Sequence, residues 1–137
     1  MNKKVDNCFT IEQTPSQETK NWTVLDDYFY LSDFAGNNTD NFNKLIALFS
    51  EDITMLGADG SQMKGKAAVI TFFKQFFDKN RMTKHLWETS QTDENTLETH
   101  WAVAGRRKDG SFFAFKGKDT ATINLEGKIS YLKVEFL

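Results

Sequence analysis

The sequence predicts an α+β domain in which helices come first and pack on one face of a curved, mostly antiparallel sheet. Three observations carry this. Apolar residues recur at three- and four-residue spacing as far as Lys79. From Thr83 to the C-terminus the period changes to two. Turn residues at Asp93-Glu94-Asn95, Lys108-Asp109-Gly110 and Glu126-Gly127 divide that second half into long strands.

Length and composition agree with a single domain. A chain of 137 residues can bury a proper core, and 13 phenylalanines against one proline describe an aromatic-rich globular domain. The first thirteen residues are polar and unpatterned, which predicts a loose tail (1–13) before a single domain (14–137). Thr14-Pro15-Ser16-Gln17 suits a helix start, with Thr14 as cap and Pro15 in the first turn. Trp22, Leu25, Phe29, Ser32 and Ala35 continue that helix, and Gly36 suits its stop. A second helix fits Asp40 to about Ser50, with Phe42, Leu45, Ile46 and Phe49 on one face. Ile53 to Leu56 and Ser61 to Lys64 read as short strands around the turn at Ala58-Asp59-Gly60. A third helix, about Lys66 to Lys79, is apolar over so much of its surface that it must be largely buried or covered by a partner.

Charge excludes some functions. A formal net charge of −2 leaves no electrostatic footprint for nucleic acid or an anionic membrane. Arg106-Arg107-Lys108 beside Asp109-Gly110 reads as a solvated hairpin turn rather than a binding patch. Cys8 is alone, so no intramolecular disulfide forms, and two histidines, His85 and His100, do not make a metal site. No run reaches the roughly 20 apolar residues of a membrane helix, and the N-terminus lacks a signal-like apolar core. A soluble cytoplasmic protein without a cofactor is the expectation.

One residue breaks the apolar pattern of a strand. Phe113, Phe115, Gly117, Asp119, Ala121 and Ile123 share a side, opposite Lys116, Lys118, Thr120 and Thr122. Asp119 should therefore face the interior, where a carboxylate either finds strong partners or is pushed towards its neutral form. Next in interest is His85, at the start of its strand, since an imidazole serves as acid or base near neutral pH. Alternation puts His100 and Trp101 on opposite faces. The preferred register turns Trp101 inward and His100 outward; the reverse would bring His85, His100 and Asp119 together. Trp22, Tyr28, Met55, Phe73, Trp87, Trp101 and Phe115 are the candidate apolar lining, though for each of them core packing is the stronger reading.

Three segments resemble the nuclear transport factor 2-like superfamily, in its SnoaL-like and ketosteroid-isomerase-like branch. They are Leu45-Ile46-Ala47-Leu48-Phe49-Ser50-Glu51-Asp52-Ile53-Thr54, then Asp59-Gly60 with Gly65-Lys66-Ala67-Ala68-Val69, then Gly117-Lys118-Asp119 with Glu126-Gly127-Lys128-Ile129. Their order and spacing cover the chain from about Trp22 to its end. The resemblance implies a cone, a bent sheet around the first helix with an apolar cavity open at one end, and a homodimer through the outer sheet face. It implies a small, largely apolar ligand. Asp119 falls at an acidic position that relatives use, either protonated as a hydrogen-bond donor or as the acid/base of ring closure. His85 falls where relatives often place a cavity histidine. The isomerase phenol falls near Phe29, so either Tyr28 or Tyr30 could supply it, the register being blurred at Asn37-Asn38-Thr39-Asp40. Gly57 stands where an isomerase carries its proton-abstracting acid, which argues against steroid-type isomerisation. Two functions remain open: cofactor-independent cyclisation, dehydration or isomerisation centred on Asp119 with His85 and Tyr28 or Tyr30, and a non-catalytic ligand-carrier or interaction domain.

Overall fold

The computed structural model describes residues 21–137. Three α-helices are present there: α1 (Val24–Ser32), α2 (Thr39–Ile46) and α3 (Lys66–Lys79), with a 3-10 turn at Ala35–Asn37. Six strands follow the chain as β1 (Phe49–Leu56), β2 (Gln62–Lys64), β3 (Asn80–Asp93), β4 (Thr96–Arg107), β5 (Phe112–Ile123) and β6 (Ile129–Phe136). They form one curved open sheet in the order β2-β1-β6-β5-β4-β3, antiparallel except for the β1–β6 pair. This is the α+β architecture the periodicities predict, a cone of sheet around α1.

The expected helix start at Thr14 and the tail at 1–13 lie outside the described residues. Within them, the continuous helix through Trp22 is corrected. Residues 21–23 are not helical, and Thr23 caps α1. Asp26 N–H donates to Thr23 Oγ1 (3.2 Å), and Thr23 N–H donates to Asp26 Oδ2 (2.7 Å), a reciprocal capping box. The second helix is also shorter than its apolar spacing suggests. It ends at Ile46, and Phe49 and Ser50 already belong to β1, where Phe49 pairs with Ile129 of the last strand. A distant strand thus outcompetes the local helical period. The third helix keeps its expected bounds, but only Val69 and Phe73 are fully buried; Phe72, Phe76 and Phe77 are half-buried.

Helix α1 is fastened to the edge strand β3 at both ends. Asp26 Oδ1 accepts from Trp87 Nε1 and Thr89 Oγ1, both at 2.9 Å. Asp33, the C-cap residue, accepts from the His85 N–H (2.9 Å) and from Thr83 Oγ1 (3.1 Å). Seven residues of helix rise about 10 Å, and four residues of strand about 13 Å, so the two carboxylates match two stations on β3. Around this strut the core packs Leu25 and Phe29 of α1 against Ile53, Met55, Ala121 and Leu132 of the sheet.

Asp26 therefore closes the capping box of α1 and accepts from two donors of the sheet at once. Asp26→Ala is expected to lower unfolding free energy by about 2–4 kcal/mol, from the lost reciprocal half of the capping box and the Trp87 indole N–H left without its acceptor. Denaturant unfolding measures this, and a loss near zero would mean that the clamp contributes little.

Candidate functional site

Strand register aligns the inward side chains in rows across the sheet. One row is His85, Val103 and Phe115; the next is Trp87, Trp101, Gly117 and Phe136; the third is Thr89, Thr99, Asp119 and Val134. Asp119 is thus inward, as its alternation predicts, and only 2% exposed. The preferred register holds as well: Trp101 is buried, while His100 is exposed on the outer face with its Nε2 3.7 Å from Glu98. His85, His100 and Asp119 do not converge.

Trp101 Nε1 donates to Asp119 Oδ1 at 2.8 Å. The indole reaches it by crossing the place where Gly117 has no side chain. A Cβ there would lie 2.4 Å from Trp101 Cζ2 and 2.4 Å from the Glu135 carbonyl oxygen. Beside Asp119, Thr99 and Thr89 share a hydrogen bond (2.7 Å) that leads back to Asp26. Burial pushes the Asp119 carboxyl up to about 7, against the smaller opposing pull of the Trp101 hydrogen bond. Tyr28 is held well above the ordinary phenol value, chiefly by burial and secondarily by the charge of Asp119. Its hydroxyl keeps its proton.

A pocket of about 700 Å³ opens between α3 and the inner sheet face. Asp119, Tyr28, His85 and Trp101 border it, as do Met55, Phe73 and Phe115, all of them residues that the sequence singles out. Three others lie outside this pocket. Tyr30 is 51% exposed and Trp22 42% exposed; both line a second groove, of about 1050 Å³, that also touches His85, Val103 and Phe115. The helix turns Tyr30 outward because Tyr28 and Phe29 take the two inward positions. Trp87 is the third: its indole N–H is bound to Asp26 and its ring stacks on Phe29 (centroids 6.0 Å apart), so it lines the second groove and not the pocket. Gly57, in the place of an isomerase base, lies on the pocket rim with Asp59 and Ser61.

Asp33 is the residue that sequence reasoning missed. Its Oδ1 lies 2.7 Å from His85 Nδ1, and neither side chain is far exposed. Because a carboxylate only accepts, Nδ1 carries a proton and donates it to Asp33, which fixes the ring where His85 borders the pocket. The sequence offers no signal for it, because a helix running through Ala35 makes Asp33 one more acid on its surface. Asp59 was missed as well, being a turn residue; hydrogen bonds from Ser61 lower its carboxyl below the ordinary value. Among the described residues, no three His, Cys, Asp or Glu side chains gather so as to hold a metal ion.

The profile of the SnoaL-like domain family matches residues 33–132, most of the chain. The chain belongs to that family. It is similar to an NTF2-like protein of unknown function from Exiguobacterium sp. 255-15, at 37% identity over 84% of this chain and 98% of the other, with a TM-score of 0.78. Weaker likenesses show the shared fold alone. One is to the epoxide hydrolase/cyclase-like enzyme SalBIII of pyran ring formation in salinomycin (15% identity, 93% of this chain and 95% of that one, TM-score 0.70). Another is to a Mycobacterium tuberculosis protein in complex with estradiol-17β-hemisuccinate (20% identity, 81% and 88%, TM-score 0.68). No curated protein matches the chain. Among the described residues, no helix is long and apolar enough to cross a membrane.

The burial of Asp119 makes stability depend on pH in a definite sense. Below about 3.8, its ordinary value, folded and unfolded chains are both protonated. Between there and about 7 only the unfolded chain ionises, so the native state binds the extra proton and stability falls as pH rises. Asp119→Asn keeps an acceptor for Trp101 and cannot ionise. Its stability relative to the unsubstituted protein is expected to grow from pH 4 to 7 and then level off, by at most ~4 kcal/mol. Thermal melts across that range test it; a difference independent of pH would mean that Asp119 ionises in the fold as it does in water.

Proposed function

We propose that this SnoaL-like protein takes a small, largely apolar molecule into the pocket and performs cofactor-independent acid/base chemistry on it. The observation that carries the reading is a carboxyl held neutral up to about pH 7 at a pocket wall that also presents an oriented imidazole. Asp119 is the proton donor, to a carbonyl, hydroxyl or epoxide oxygen of the ligand. His85, steadied by Asp33, is the acceptor through Nε2. Trp101 sits between them, 2.8 Å from Asp119 and with its ring centroid 6.3 Å from that of His85. Tyr28 supplies a hydrogen bond that stays protonated. A site that gives a proton at one end and takes one at the other suits dehydration or ring closure. Met55, Phe73, Trp101 and Phe115 hold the apolar body.

One observation favours a second reading. The rim position of an isomerase base is Gly57, where an added Cβ would lie 2.7 Å from Ser61 Oγ. A pocket without that base can simply carry its ligand.

A thermal-shift screen with steroids, aromatic phenols and terpenoid epoxides tests both readings. A compound at ~100 times its dissociation constant should stabilise by roughly 2.7 kcal/mol. For a compound that is turned over, Asp119→Asn and His85→Gln are each expected to lower turnover by about 10²- to 10⁴-fold with binding retained. Asp33→Asn should give a smaller loss and a shifted pH profile. Binding that neither substitution affects, with no turnover from any class, would make the protein a carrier.

The outer sheet face is the proposed homodimer surface. Alanines at 102, 104 and 114 and the exposed Leu86 lie beside the ion pairs of Lys118 with Glu98 and Glu135. Light scattering should give twice the mass of one chain, and Ala104→Glu should return a monomer. A monomer in the unsubstituted protein would remove this face as an interface.

A further inference from the structure

The pocket has a charged rim whose residues the acid/base reading leaves unused. Lys79, Arg107 and Lys108 border the opening on one side of the charge balance, Asp59 and Asp109 on the other. The two kinds of group are not equally available. Asp59 Oδ1 accepts from the Ser61 N–H (2.9 Å), closing its own turn. Asp109 Oδ1 accepts from both the N–H and the Oγ of Ser111, at 2.9 and 2.7 Å. Both carboxylates are therefore folded back onto their own loops. Among the described residues none of the three cations pairs directly with a carboxylate, although the charge of Arg107 adds to the Ser111 hydrogen bonds in lowering the Asp109 carboxyl.

Arg107 is the best placed of them. It is half-buried, at the inward end of β4, and its guanidinium sits 4.8 Å from the centre of the Phe113 ring, itself a wall of the pocket. Its polar contact is a long bond from Nη1 to Ser111 Oγ, 3.4 Å. A planar guanidinium laid on an aromatic ring keeps its N–H edge free for a two-pronged bond to an anion. The ring also fixes the cation without neutralising it.

We propose that the ligand is an amphipathic acid: an apolar ring system with a carboxylate on a short tail, which Arg107 grips at the rim while Lys79 and Lys108 add charge. Resting on the pocket reading above, this fixes the orientation. The anionic tail stays at the rim, because the inner wall is apolar and holds a carboxyl of its own. The opposite end of the ligand then meets Asp119 and His85. Arg107 and Lys108, from a run whose sequence reads as a solvated turn, thus supply the specificity of the opening.

Two fluorescent probes with the same apolar body separate the possibilities: 1-pyrenebutyrate and 1-pyrenebutanol, titrated into the full chain at pH 7. The butyrate is expected to bind about tenfold more tightly at 20 mM salt, with the gap narrowing by about 300 mM as screening grows. Arg107→Gln should bring the two probes to within about twofold while leaving the alcohol's affinity unchanged. Lys79→Gln with Lys108→Gln, both exposed positions, should remove part of the preference. Lys133→Gln on the outer face should remove none. Equal binding of both probes to the unsubstituted protein overturns the anion site and leaves the pocket standing. A preference that survives both the Arg107 and the double lysine substitutions overturns it too. Binding of neither probe overturns the pocket reading and this one together.

Discussion

A tryptophan laid across a glycine sets the chemistry of this interior. Gly117 is the one position in its row where a side chain would collide with the Trp101 ring and with the neighbouring strand's carbonyl. The missing Cβ lets the indole reach Asp119 and give it a hydrogen bond. Two opposing effects then meet at one carboxyl. Desolvation favours the neutral acid and the indole N–H favours the anion, and the balance falls at about 7. A fully unpartnered carboxyl at this depth would be a poorer acid, and a fully solvated one would have lost its proton.

The first helix is the second constraint, and it works through carboxylates rather than through apolar contact alone. Asp26 and Asp33 sit two turns apart and each takes hydrogen bonds from β3. A buried carboxylate is tolerated only when its oxygens are occupied, and these are. The consequence for the site is direct. Fixing α1 against the edge strand also fixes the His85 ring against Asp33, so the clamp that closes the cone orients the imidazole.

How much of this could be read from the chain varies with the range of the interaction. Asp119 was legible because strand alternation is a local rule, and an acid among Phe113, Phe115 and Ala121 breaks it visibly. His85 and Tyr28 were legible as types of residue, though only the helix phase separated Tyr28, inside, from Tyr30, outside. Asp33 was not legible. Its partner lies 52 residues away, and nothing local distinguishes it from any acid on a helix surface. Arg107 was hidden by its company, since two arginines and a lysine beside a turn describe solvent as well as a pocket rim.

The sequence by itself determined the class of the fold, the order of helices before strands, the strand faces and the family, because periodicity and short spaced motifs act within a few residues. It also determined that a carboxyl would be buried. Only the tertiary structure decided what that carboxyl meets, which acid steadies the histidine, and which cations stand at the opening. Those depend on strand register and on how the sheet curves around the helix, and they are set by contacts between residues tens of positions apart. The truncation of the second helix at Ile46 has the same origin: Phe49 fits a helical face, and pairing with Ile129 draws it into the sheet.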